Sequence, residues 1–198
     1  MAQIGRTPEE QVEQQVETAP EPEVEAKPTY ALEVLANHEA TWTEFESWKD
    51  VPVGHAWIRL VAPTGHAQSW GYWPAQEVPL TAPWTTVHGE VRHPDNDLAG
   101  SEHETDVHRV SFELEEDAAK RLTRAANARI QAPGDYNLLD HNCVDFAREM
   151  AQVAGVEAPP SVFKGVAEPK TIYAAGAAAA EQAEASAGPT VDAAEPQP

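Results

Sequence analysis

The sequence contains only one cysteine in 198 residues, Cys143. A single cysteine cannot form an intrachain disulfide framework or a cysteine-rich structural zinc site. No apolar run is long enough to span a bilayer, and the first ten residues lack the basic start and apolar stretch of a secretory signal. We therefore expect a protein that is cytoplasmic in the producing cell. Delivery or packaging by a route that needs no cleaved signal peptide is the alternative.

Basic residues are also scarce, with 13 Lys and Arg against 33 Asp and Glu and a formal net charge of −20. Such a chain repels phosphate backbones and anionic lipid surfaces. The composition therefore predicts that the protein neither binds nucleic acid nor inserts into a membrane.

Large apolar side chains are sparse at both ends of the chain. Residues 1–27 are rich in Glu, Gln and Pro, and residues 168–198 are rich in Ala, Glu and Pro. Neither segment can bury enough surface to offset its ordering entropy, so both are predicted to be disordered acidic tails that are candidates for protein docking. One domain, spanning residues 28–167 without internal repeats, lies between them.

The first half of this domain has strand-like patterns. Apolar residues alternate over residues 30–37 and again over residues 107–114. Residues 54–61 and 66–73 flank the turn signal "APTG" and predict a β-hairpin that carries two histidines, His55 and His66.

The second half of the domain has helical periodicity. Apolar residues from Glu115 onward recur with a helical period over about four turns. Asn142 can then cap a second helix, with Asp145 three residues later and Gly155 after its end. The fold class predicted is α+β, a small, mainly antiparallel sheet packed against two helices.

Cys143 falls in the first turn of this second helix. Unpaired backbone N–H groups and the helix dipole favour a thiolate there, although free cysteines often only fill space in a core. A catalytic thiol also needs an imidazole brought close by the fold. His55, in the otherwise apolar strand "GHAWIRL", is the candidate.

The stretches "GHAWIRL", "SWGYWP" and "YNLLDHNCVDFAREMAQVAGV" together resemble the circularly permuted papain-like (NlpC-type) cysteine hydrolases. This superfamily includes relatives of lecithin retinol acyltransferase and the PPPDE peptidases. In the permuted group the histidine strand precedes the cysteine helix, as His55 precedes Cys143 here. The resemblance covers Tyr30 to Val156, and similar domains occur in bacterial proteins, some associated with secreted toxins or phage-like injection systems.

The resemblance implies a role for each matching residue. Cys143 is expected to be the nucleophile and His55 the general base that later protonates the leaving group. The third polar residue of the family orients the histidine from the next strand. Strand parity leaves His66 and Gln68 as alternatives, and we favour His66.

The activity expected from these residues is thiol-dependent cleavage of an amide bond in a peptide, an isopeptide or a cell-wall stem peptide. A lipid acyltransferase or esterase is an alternative and would predict an apolar groove built from tryptophans. A second alternative is a non-catalytic structural or cargo module of a phage-like or secretion particle.

Histidines and acids between His88 and His108 suggest a metal site. They match neither a helical zinc motif nor a complete calcium loop, so a solvated polar loop is the better interpretation, and we expect no metal and no cofactor. Of the tryptophans, Trp57 is predicted to lie in the core, and Trp70 or Trp73 is a candidate wall of a substrate cleft.

Overall fold

The computed structural model describes residues 29–38, 53–95 and 107–167, together with six residues near the C-terminus. In chain order the elements are β1 (Tyr30–Asn37), β2 (His55–Val61), β3 (Ala67–Pro74), β4 (Val87–Arg92), β5 (Val107–Leu114), α1 (Glu116–Gln131), β6 (Asp135–Tyr136), α2 (Cys143–Ala154) and a 3-10 helix (Pro160–Phe163).

The six strands form one sheet in the order β5-β1-β2-β3-β4-β6. Every pairing is antiparallel, and β2 and β3 are the hairpin predicted from the "APTG" turn. The turn closes because the Gly65 N–H donates to the Ala62 carbonyl at 2.8 Å and Gly65 takes a φ of 84°. Glycine adopts this left-handed conformation without a steric penalty.

Every second residue of the central strands faces the hydrophobic core. Leu32, Val34 and Ala36 of β1 are buried, as the alternation in the sequence predicts. Both helices contact the sheet and each other. The predicted α+β fold class is therefore confirmed, with an antiparallel sheet packed against two helices.

The start of α2 is set by a capping box. The Asn142 side chain accepts hydrogen bonds from the backbone N–H groups of Val144 and Asp145, and the Asp145 side chain accepts from the Asn142 N–H. Gly155 ends the helix in the left-handed conformation, with a φ of 88°. Both ends of α2 lie where the sequence predicts them, because side-chain caps satisfy otherwise unpaired backbone groups.

Strand β4 corrects the interpretation of residues 88–108 as one polar loop. Val87, Gly89 and Val91 are buried and the residues between them are more exposed, so the segment does alternate. The pattern escapes detection because its middle member is a glycine. A Cβ on Gly89 would lie 2.1 Å from the Tyr72 hydroxyl, so that position is restricted to glycine by close packing.

The predicted disordered tails lie outside the described residues, apart from six that are helical: Tyr173, Ala174, Gly176, Ala177, Ala180 and Glu181. Gly176 is buried where a Cβ would lie 2.2 Å from the Leu80 carbonyl oxygen. Within the described part of the chain, no helix has the length and apolar character needed to cross a membrane. The domain boundaries at residues 28 and 167 stay a prediction.

Candidate active site

His55 is the first residue of β2, and its side chain is 0% exposed. The preceding residue, Gly54, has a φ of 77° and packs tightly against two neighbouring segments. A Cβ there would lie 3.0 Å from the Asn37 carbonyl oxygen and 3.1 Å from the Val166 Cα. The backbone that carries His55 is therefore fixed from both sides.

Cys143 is the first residue of α2 and is also 0% exposed. Its thiol lies beside the His55 imidazole and interacts with it electrostatically, so the fold brings together the two residues that the sequence proposed as a catalytic pair. The pair connects the first residue of β2 with the first residue of α2, which lie 88 positions apart in the sequence. Its geometry depends on the tight turn at Gly54 and on the cap at Asn142.

Asp95, which follows β4, is the third member of this cluster. Its Oδ2 lies 2.9 Å from His55 Nε2 and accepts a hydrogen bond from Trp73 Nε1 at 3.2 Å. A carboxylate accepts hydrogen bonds, so the proton of the neutral imidazole is on Nε2. Nδ1 is then the nitrogen that remains for the Cys143 thiol.

Ser69 of β3 holds Asp95 in place through the backbone. The Asp95 N–H donates to Ser69 Oγ at 3.1 Å, and Ser69 Oγ donates to the Asp95 carbonyl at 3.3 Å. The carboxylate is therefore supported by two residues of β3, Ser69 at the backbone and Trp73 at the side chain. Such support fixes the orientation of a buried charged group before any substrate binds.

Gly71 makes room for the contact between His55 and Asp95. A Cβ on this β3 residue would lie 1.5 Å from Asp95 Oδ2 and 2.8 Å from His55 Nε2. Sequence reasoning missed Asp95 because it assigned that residue to a polar loop. The available signal was Gly71 itself, since a glycine inside a strand often marks the close approach of another group.

The pKa of His55 reflects opposing effects. Burial alone lowers it, but the negative charge and hydrogen bond of Asp95, followed by the contact with Cys143, raise it from 6.5 to about 9. The protonated imidazolium is thus favoured at neutral pH. A thiolate is stabilised by such a neighbour.

Aromatic rings surround the imidazole. The Trp73 ring centroid lies 4.1 Å from that of His55, and the Trp57 ring stacks at 5.8 Å with an interplanar angle of 8°. Trp57 is in the buried interior, as predicted. Trp73 is also buried, and it contacts His55 and Asp95. An aromatic face attracts an adjacent cation, so this surrounding further suits a protonated His55.

Tyr136 of β6 lies next to Cys143, a neighbour that the sequence did not reveal. Its buried hydroxyl contacts the backbone N–H of Cys143. Burial, followed by the charge of Cys143, raises the pKa of Tyr136 well above its usual value. Cys143 is therefore flanked by an imidazole and a protonated phenol.

The prediction that His66 or Gln68 orients His55 does not fit the strand register. Gln68 is paired with Leu60, near the opposite end of β2 from His55, and His66 is exposed in the adjoining turn. The orienting position is filled by Asp95 instead. The physical reason is that a hairpin places residues near its turn far from the open ends of its strands.

The metal hypothesis for the histidine-rich segment falls mostly on residues 96–106, outside the described residues. Within the ranges that the structure does describe, no group of three or more His, Cys, Asp or Glu side chains is arranged to hold a metal ion.

Comparison of the chain with protein-family models, curated proteins and solved structures finds no match. The resemblance to permuted papain-like hydrolases therefore stays a prediction that rests on the sequence motifs.

The contact between His55 and Asp95 predicts a specific pH dependence of stability. The folded protein binds the His55 proton more tightly than the unfolded chain, so this stabilisation is fully present below pH 6.5 and is lost as the pH rises through about 9. In Asp95→Asn the pKa of His55 in the folded protein should fall, and the loss of stability between pH 6.5 and about 9 should become smaller. Urea unfolding at a series of pH values across the window measures it.

Asp117→Asn is the matched control for this experiment, because it makes the same chemical change on the exposed side of α1. Its stability should follow the parent across the pH window. A parent-like pH dependence in Asp95→Asn would show that this carboxylate does not hold the His55 proton.

Substituting Gly71 should separate Asp95 from His55. In Gly71→Ala the new methyl group occupies the position of the carboxylate, so the His55 pKa should fall, and the variant should lose about 1–3 kcal/mol of stability through overpacking. NMR titration of the imidazole measures the first effect. Gly65→Ala, with no atom within 4 Å of the added Cβ, should leave the His55 pKa unchanged. An unaltered pKa in Gly71→Ala would contradict the described packing.

Proposed function

We propose that this protein is a cysteine-dependent hydrolase that cleaves an amide bond through an acyl-enzyme on Cys143. The observation that carries the proposal is the continuous contact from Cys143 to His55 and from His55 to Asp95. A nucleophile hydrogen-bonded to a base, with that base oriented by a third group, is the arrangement that covalent acyl transfer requires.

Each of the three side chains has a defined part in this reaction. His55, as an imidazolium, already holds the proton taken from the thiol, and Cys143 Sγ attacks the substrate carbonyl carbon to form a tetrahedral intermediate. When the carbon–nitrogen bond breaks, His55 gives its proton to the departing amine and a thioester remains. Water then attacks the thioester with His55 as base, which releases the acid and restores the thiol. Asp95 keeps the imidazole oriented and stabilises its protonated form.

The start of α2 can stabilise the tetrahedral intermediate. The N–H groups of Val144 and Asp145 are already bonded to the Asn142 side chain, so α2 acts on a developing oxyanion through the positive end of its helix dipole. The protonated Tyr136 hydroxyl, close to Cys143, places a hydrogen-bond donor beside the nucleophile.

Amide cleavage is favoured over lipid ester chemistry by the position of the tryptophans. A lipid-directed enzyme requires an apolar groove, but Trp57, Trp70 and Trp73 are all buried and do not line one. Trp84 is 61% exposed and stands apart from this group. Peptides, isopeptides and cell-wall stem peptides are accordingly the substrates proposed first.

Full burial of Cys143 and His55 favours a second candidate, a non-catalytic structural or cargo module. A buried cysteine surrounded by core residues is typically inert. In the hydrolase, substrate must reach the thiol through movement of neighbouring groups. In the structural module, no such opening is needed and the thiol never reacts in the folded state.

Turnover of a panel of peptidyl and isopeptidyl fluorogenic amides tests the proposal. Any activity should disappear in Cys143→Ala, and it should fall by about 10²- to 10⁴-fold in His55→Ala, because the general base is lost. Intact-protein mass spectrometry of the parent should detect a thioester adduct that is absent from Cys143→Ala.

His66→Ala is the control, since it removes an exposed histidine away from the cluster and should retain parent activity. Activity that survives in Cys143→Ala would contradict the assignment of the nucleophile. Complete inactivity toward every amide, with no adduct on Cys143, would favour the structural module.

A further inference from the structure

A groove with a cavity volume of about 480 Å³ lies between the start of α2 and the segment that follows the 3-10 helix. Its lining includes Asn142 and Val144 on the helix and Val166 and Ala167 on the opposite side. A volume of this size is within the range of pockets that bind small ligands or a few residues of a peptide.

The groove borders the backbone on both sides of the candidate catalytic pair. Asn142 and Val144 are the residues immediately before and after Cys143. On the other side, the Ala167 N–H donates to the Val53 carbonyl at 3.0 Å, two residues before His55. A chain bound in this groove would therefore lie next to the position where the acyl-enzyme forms.

Positive charge dominates the lining of the groove. Arg148 and Lys164 supply two cations, whereas Asp145 supplies the single carboxylate. That carboxylate already accepts a hydrogen bond from the Asn142 N–H at 3.2 Å as part of the helix cap. The groove thus has a local excess of positive charge in a chain whose net charge is −20.

Neither Arg148 nor Lys164 forms an ion pair with another residue in the part of the chain that the structure describes. Other cations of that part do, for example Lys120 with Glu116 at 2.8 Å. Arg148 is instead held across the groove, with its guanidinium carbon 5.0 Å from the centroid of the Phe163 ring. The cation is therefore positioned by packing and keeps its charge available for a ligand.

We propose that this groove binds a carboxylate of the substrate, so that the bond attacked by Cys143 lies in an acidic peptide segment. The inference rests on the proposed hydrolase function and adds a substrate class to it. Arg148 and Lys164 are the specificity-determining residues. The carboxylate comes from an Asp or Glu side chain or from a free peptide C-terminus, which share the same chemistry toward these cations.

The expected size of the effect follows from the exposure of the two cations. Contacts between solvent-exposed charges are individually weak, so two of them together correspond to about a 3- to 10-fold preference for an acidic over a neutral peptide. Salt should reduce this preference, because exposed charges are screened.

The experiment measures binding of short labelled peptides to the full-length Cys143→Ala protein by fluorescence anisotropy. One peptide has a single Glu and blocked ends, a second has Gln in its place, and a third has Gln and a free C-terminus. Binding is repeated after combining Cys143→Ala with Arg148→Gln and Lys164→Gln. The control combines it with Lys120→Gln and Arg124→Gln, which remove equal charge from a separate cavity of about 460 Å³.

The inference predicts that a carboxylate-bearing peptide binds tighter than the blocked Gln peptide by the stated factor. This preference should vanish when Arg148 and Lys164 are replaced and persist in the control. A preference shown only by the free C-terminus identifies that group as the source. Equal binding of all three peptides, no binding by any, or a preference that survives the loss of Arg148 and Lys164 would overturn the inference.

Turnover by the unsubstituted protein separates this inference from the proposed function. Selective binding through Arg148 and Lys164 without cleavage would support carboxylate binding in the groove and contradict the proposed hydrolase activity. Cleavage that depends on Cys143, with equal kcat/KM for the Glu and Gln peptides, would retain the hydrolase and overturn the acidic substrate class.

Discussion

The hydrogen bond between His55 Nε2 and Asp95 Oδ2 is the interaction on which the candidate site depends. Both groups are buried, so separating either from its partner would leave an uncompensated polar or charged group in the interior. The bond fixes the orientation of the His55 ring, with Nε2 toward Asp95 and Nδ1 left on the side of Cys143. Three residues of the adjacent strand β3 support this contact. Gly71 leaves space for it, and Ser69 and Trp73 donate hydrogen bonds to Asp95.

The sequence could predict the features that depend on local rules. Strand alternation, the turn at Gly65 and both ends of α2 follow from spacing, conformational freedom and caps within a few residues. Those same rules place His55 at the start of one strand and Cys143 at the start of one helix. The pairing of the two needed a tertiary argument, which the resemblance to permuted papain-like enzymes supplied as an expectation.

The remaining parts of the site depend on contacts between distant segments. Asp95 is 40 positions from His55, and nothing in its neighbourhood distinguishes it from the other acids of the same polar stretch. Tyr136 belongs to a strand of two residues, too short for a periodic pattern. His66 had the expected residue type but lies beside the hairpin turn. Residue type and strand parity could not identify the orienting residue, because the pairing register of β2 and β3 decides which side chains lie near His55.

Alkylation of Cys143 in the folded protein tests whether this thiol and the His55 imidazole form a reactive pair. We expect iodoacetamide to modify Cys143 under native conditions, at a rate that falls strongly in both His55→Ala and Asp95→Asn. In urea all three proteins should react equally, because the fold no longer holds the imidazole near the thiol. Modification of the parent only after unfolding would overturn the reactive pair and identify Cys143 as a packing residue.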